Sequence, residues 1–246
     1  MIELLYISIL IISVIAGGLF VTITNQGNSQ NQNTSKLILA FSGGFILSIA
    51  FLDFIPHLYE SNSNFIGYYI LLGFLIQLVL EFFSRGIEHG HTHIEKNSVF
   101  PLALLIALCF HSILEGIPLG NEINHLHGHG HSNAQNLFLG IVFHQIPVSI
   151  ALMSVLINTK ITKQKAWLCL IVFSLTTPLG MGISKLMPYQ GITINDSFVL
   201  AIVVGIFLHI STTIIFETNE NHKFNFIKLL SIIAGFALAL ASSSMH

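Results

Sequence analysis

The sequence predicts an all-α, polytopic membrane protein with eight transmembrane helices and both termini on the external face. Three observations lead there. The 246-residue chain is 53% hydrophobic and only 8% charged, with a mean hydropathy of +0.78, whereas soluble domains carry roughly 25% charged residues. Eight apolar runs each approach the ~20 residues that cross a bilayer core. The basic residues segregate by side: eight of the nine lie in or beside odd-numbered connections.

The runs fall near 4–24, 37–60, 65–84, 99–121, 136–157, 166–187, 197–217 and 226–243, and residues 1–246 read as one transmembrane domain. The first lacks a basic flank and has the length of a full span, so it is read as a retained helix rather than a signal peptide. Asn25 to Asn33 is a polar, low-complexity linker, and Ser61-Asn62-Ser63-Asn64 marks a tight turn. Odd connections hold Lys36; Arg85 and Lys96; Lys160, Lys163 and Lys165; and Lys223 and Lys228, while even ones hold Lys185 alone. Positive residues mark the cytoplasmic side, so odd connections face the cytoplasm. Nine scattered basic residues build no phosphate-binding stripe, and no nucleic-acid partner is expected. Cys109 and Cys169 lie in apolar runs without CxxC spacing and read as packed thiols.

Thirteen histidines are the compositional anomaly. His89, His91 and His93 fall in the third connection, on the cytoplasmic side. His125, His127, His129 and His131 fall in the fourth, on the external side. Such tracts favour metal by composition, with weak and exchangeable capture, or are simply solvated loop.

The polar residues within the spans are more informative, because ionisable groups in a bilayer are costly and face a cavity, a pathway or each other. The fourth helix carries His111 and Glu115, four residues apart and so one turn from each other on one face. The fifth carries His144 and Gln145. Pro118 and Pro147 each free a carbonyl nearby, at Leu114 and Phe143, and predict a kink beside each histidine. Imidazole and carboxylate are the donors expected for zinc, iron or manganese. Two histidines and one glutamate leave positions open, as release of the ion requires. The rival is a buried hydrogen-bonded network that only joins the helices.

Asp53 and His57 repeat the four-residue spacing at the external end of the second helix. They are either an entrance site or interfacial polar capping. His209 on the seventh helix is a candidate pathway residue, beside Ser211, Thr212 and Thr213, which can also bond back to their own helix. Glu81 on the third helix pairs with Arg85 at i+4 on the simplest reading. The third helix also carries Gln77. Thr176-Thr177-Pro178-Leu179-Gly180-Met181-Gly182 on the sixth reads as close packing and a bend.

These motifs resemble those of the ZIP (zinc- and iron-regulated transporter-like) family of divalent metal transporters. His111-Ser112-Ile113-Leu114-Glu115-Gly116 with Gly120 is similar to that family's fourth-helix motif, and His144-Gln145-Ile146-Pro147 to the opening of its fifth. The resemblance implies a central transport site of His111, Glu115 and His144, with Ser112 and Gln145 where some members place ligands of a second metal. Such members carry a glutamate where this chain has Val148, which implies one principal site and Gln145 as at most a weak ligand. It also implies an inverted repeat, helices one to three against six to eight around four and five, with helices one, four, five and six moving against the rest.

The expected function is therefore uptake of a divalent cation, zinc foremost with Fe2+, Mn2+ and Cd2+ as alternatives, toward the cytoplasm across the plasma membrane. The ion is the substrate, no catalytic cofactor or enzymatic step is expected, and the remaining partners are lipid and a second copy in a homodimer. Uptake should weaken below about pH 6.5, where protonated imidazole no longer ligates. The alternative is an intramembrane zinc-dependent hydrolase with a metal-activated water. It is disfavoured because Asp53 and Glu217 lie at opposite membrane faces.

Overall fold

A computed structural model describes residues 2–24, 29–60, 64–84, 101–124, 131–189, 196–217 and 226–243. Among these, eight helices are long and apolar enough to cross a membrane: α1 (Ile2–Thr24), α2 (Lys36–Glu60), α3 (Ile66–Phe83), α4 (Leu102–Ile123), α5 (Ala134–Asn158), α6 (Lys163–Leu186), α7 (Asp196–Phe216) and α8 (Phe226–Ser243). The all-α expectation and all eight spans hold. Helices are the open-ended solution in lipid, because each satisfies its own backbone.

Local departures have local causes. The backbone is already helical from Ser29, so part of the stretch read as a linker extends α2 beyond the apolar run. Adding residues to an existing helix avoids the nucleation cost. The helix of α5 likewise starts at His131, so the backbone of His131 is helical rather than loop. Thr162 caps α6, its side chain accepting from the Lys165 amide, which starts that helix three residues ahead of the expected 166. Within α2, Ala50–Phe54 form a π turn in which the Ile55 amide reaches the Ala50 carbonyl. Pro56 follows directly, and in a regular helix its ring would collide with the Leu52 carbonyl. Pro118 and Pro147 lie inside continuous helices.

The helices associate in two groups. In one, α1 packs on α5 and α4 on α6; in the other, α2 packs on α8 and α3 on α7. Exchanging α1 with α6, α2 with α7, α3 with α8 and α4 with α5 carries each pair onto another, which is the pattern an inverted repeat generates. Glycines mark the tightest approaches. A Cβ on Gly73 would lie 1.9 Å from the Ile202 carbonyl oxygen, and one on Gly205 1.9 Å from that of Ile70. Their symmetry counterparts, Gly235 and Gly44, meet the carbonyls of Phe41 and Ile232 at 2.2 and 2.5 Å. Small residues that admit a neighbouring backbone are the membrane substitute for hydrophobic driving force.

Contacts between helix ends fit alternate crossing. Lys185, at the end of α6, forms an ion pair with Glu3 at the start of α1. Asn121 near the end of α4 donates to Asp196 at the start of α7, 2.8 Å. Lys185 is the one basic residue on the side read as external, and its pairing offsets the charge that would otherwise count against that orientation. Nearly four-fifths (78%) of the most apolar part of α5 is buried, against 22% for α3 and for α8. Thus α5 is central, while α3 and α8 face outward.

Gly73→Ala and Gly205→Ala should each destabilise the protein by about 1–3 kcal/mol through overpacking. Gly182→Ala, where an added Cβ meets nothing within 4 Å, should be close to neutral. Thermal unfolding of the purified variants in detergent checks the contrast.

Candidate metal centre

The i, i+4 spacing on α4 places His111 and Glu115 one above the other, and α5 brings His144 against them. All three are buried, at 2%, 1% and 1% exposure. One donor atom from each lies within 4.8 Å of the others, and among the described residues this is the one group of three or more histidine, cysteine or acidic side chains so placed. His111 Nε2 is 3.0 Å from Glu115 Oε1, without hydrogen-bond geometry between them. The two imidazoles meet edge to face, with ring centroids 5.6 Å apart. Imidazole nitrogen and carboxylate oxygen converging on one small volume can bind a divalent cation of intermediate softness.

A second layer of polar groups surrounds the three. Ser112 Oγ lies 2.6 Å from Thr177 Oγ1 on α6. Gln145 Nε2 donates to Thr177 Oγ1, closely, and to Ser112 Oγ at 3.5 Å. Thr177 reaches this position because α4 and α6 touch at glycines: a Cβ on Gly116 would lie 2.2 Å from the Thr177 carbonyl oxygen, and one on Gly180 2.3 Å from that of Ile113. Ser112 and Gln145 Nε2 are thus engaged with each other and with Thr177, while Gln145 Oε1 accepts no hydrogen bond among the described residues. Val148 is buried in an apolar cluster with Val14, Leu152 and Phe173. On the opposite side, His111 Nδ1 lies 3.0 Å from Oε1 of Gln77, a fully buried residue of α3.

The other sequence candidates divide. Asp53 sits in the π turn of α2 and its carboxylate is held from two sides: Asn136 Nδ2 of α5 donates to Oδ2 at 2.8 Å, and Ser243 Oγ of α8 donates to Oδ1 at 2.6 Å. Ser242 in turn donates to Asn136 Oδ1. His57 is exposed one turn further along and is not part of the central group. Glu81 meets His209 of α7, with His209 Nε2 3.3 Å from Glu81 Oε2. The His209 ring also packs edge-on to Phe74 at 4.6 Å. The expected partner, Arg85, lies outside the described residues, as do His89, His91, His93, His125, His127 and His129, together with the side chain of His131.

Sequence reasoning missed three contributors. Gln77 has no role assigned by spacing alone, although an uncharged amide in an apolar run, one turn from Glu81, is a signal in itself. Thr177 reads as packing in the sequence, and Asn136 carries no local signal there. Their partners lie on other helices, at separations local spacing does not encode.

The fold and the centre together define a class: a polytopic helical membrane protein with a buried set of divalent-metal donors at its middle. A model of the ZIP zinc transporter family matches residues 2–100 and 85–243. The chain belongs to that family. It is 28% identical to protein zntD of Dictyostelium discoideum over 65% of this chain, an alignment spanning 24% of that protein, about a quarter of its length. It is also 20% identical to zinc transporter ZIP1 of Homo sapiens and to that of Mus musculus, over 87% of this chain and 79% of each relative.

Thr177→Val removes the nearer acceptor of the buried Gln145 amide while keeping side-chain volume. It should cost about 1–3 kcal/mol, the penalty of a buried donor left poorly satisfied. Ser112→Ala should cost less, because Gln145 and Thr177 keep each other. Thermal unfolding of both variants and of the double variant tests the ranking; their effects should fall short of additive.

Proposed function

We propose that this protein carries divalent metal ions, zinc foremost, across the plasma membrane toward the cytoplasm, binding them at His111, Glu115 and His144. The observation that supports this most is the convergence of those three buried donors on two neighbouring helices. The match to a family of zinc transporters supports zinc as substrate, and the donor set admits Fe2+, Mn2+ and Cd2+ as further substrates. It is a transporter family, and transport rather than catalysis is the reading adopted for residues 1–246 as one domain.

Three protein donors suit passage better than retention, since open positions let water or a further side chain replace a ligand during release. Ser112 and Gln145 act around the ion rather than as principal ligands, Gln145 Oε1 being the atom best placed to contribute. Val148 supplies nothing to a second ion, in keeping with one principal site. At the external end, Asp53 and His57 are proposed to meet the incoming cation, although Asp53 must loosen its bonds to Asn136 and Ser243 to do so. The histidines at 125–131 and at 89–93 are proposed as weak capture on the two sides. The positive residues of the odd connections orient the protein with those connections in the cytoplasm, and uptake toward that side is part of the proposal. Exposed apolar side chains of α3, such as Leu75, Val79 and Phe82, are proposed to face lipid or a second copy in a homodimer.

Proteoliposomes loaded with a zinc-sensitive dye provide the test. Wild-type protein should admit zinc, and His111→Ala, Glu115→Ala and His144→Ala should each reduce the flux to background while still unfolding cooperatively. Transport near the wild-type rate in all three variants would overturn the assignment. Wild-type protein that admits no metal into sealed vesicles would overturn transport itself. Alanine in place of His125, His127, His129 and His131 together should slow uptake only at low zinc.

A further inference from the structure

Gln77 lies on α3, most of whose side chains are apolar and many of them exposed, yet its own side chain is fully buried. Its Oε1 stands 3.0 Å from His111 Nδ1. An amide oxygen has only lone pairs to offer, so in this contact Nδ1 carries the hydrogen and donates it. The other nitrogen, Nε2, is then left with its lone pair, and it is the nitrogen 3.0 Å from Glu115 Oε1. Metal-binding imidazoles depend on such an outer partner, which fixes tautomer and ring orientation.

We propose that Gln77 is a positioning residue for metal binding: it holds His111 in the Nδ1–H tautomer, with Nε2 turned toward the ion, from across the seam between the two helix groups. The proposal rests on His111, Glu115 and His144 being the transport site. Its location gives it a second consequence. Gln77 travels with α3, which is seated on α7 through Gly73 and Gly205, whereas His111 travels with α4, which is seated on α6 through Gly116 and Gly180. Any shift of one group against the other beyond hydrogen-bond reach removes the restraint on His111. The grip on the ion is thereby coupled to how the two groups sit.

The test compares two near-isosteric variants of the full-length protein. Gln77→Met removes the acceptor and Gln77→Glu keeps it. Zinc titrations of purified protein in detergent should show Kd raised about 10- to 100-fold in Gln77→Met, the usual effect of losing an outer partner, with Gln77→Glu close to wild type. In proteoliposomes, Gln77→Met should raise KM by a similar factor with little change in maximal rate, because the bond breaks before the ion leaves. If Gln77→Met does not fold, Gln77→Asn, with its acceptor drawn back by one methylene, should also weaken zinc. The proposal is overturned if the variants lacking or withdrawing the acceptor bind zinc like wild type, or if Gln77→Glu is as weak as Gln77→Met. His111→Ala in the same titration separates the two levels. If it loses zinc while Gln77→Met does not, only the positioning role fails; if it binds like wild type, the transport-site reading fails as well.

Discussion

The arrangement depends on one constraint: two imidazoles and a carboxylate must be kept in a bilayer without water. A carboxylate moved out of water carries a desolvation cost of several kcal/mol, which only partners or a cation offset. His111, Glu115 and His144 are each almost wholly enclosed, and the helix that carries His144 is the most buried of the eight. The groups around them are polar but uncharged: Gln77, Ser112, Gln145 and Thr177. Neutral hydrogen-bonding groups orient the donors without adding further buried charge, which leaves Glu115 as the sole acid of the group.

Packing divides the molecule along a seam. Within each group, backbones touch at glycines so closely that no side chain fits between them. Between groups, the contacts are made by side chains: Gly140 of α5 faces Ile49 Cδ1 of α2, Gln77 of α3 meets His111 of α4, and Asn136 of α5 meets Asp53 of α2. Interlocked backbones resist sliding because every step meets a carbonyl. Side-chain contacts can be exchanged by rotamer changes at much lower cost. The donors sit on one side of the seam, and several of the bonds that restrain them or close the external end cross it, including Asn121 to Asp196.

What the sequence revealed and what it hid follow from the range of each signal. Span length and the His111–Glu115 spacing are local, and both were legible to within a few residues. That His144 would join them was inferable from its place in an apolar run beside a proline. The partners of Gln77, Thr177 and Asp53 were not, because a polar residue in a span announces that it must be satisfied without naming the helix that satisfies it. Glu81 makes the same point: its meeting with His209 of α7 lies beyond what i+4 spacing on its own helix can announce. The helical backbone from Ser29 was hidden for another reason: serine and asparagine favour caps and turns, so only attachment to an already nucleated helix carries them along.

Val148 ties the local chemistry to transport. With a divalent ion held by two neutral imidazoles and one carboxylate, the centre carries a net positive charge inside a low-dielectric core. A second acid at position 148 would neutralise that charge and deepen the well, and the ion would then leave more slowly. On the proposed role of this centre, the apolar cluster around Val148 would leave that charge without a second neutralising partner. Binding there would depend on how well the three donors are aligned rather than on accumulated charge. Alignment can be lost through a small displacement, whereas the charge of a second carboxylate would persist in any conformation. A centre of this type would bind when its helices are in register and release when they are not, as the proposed carrier role requires.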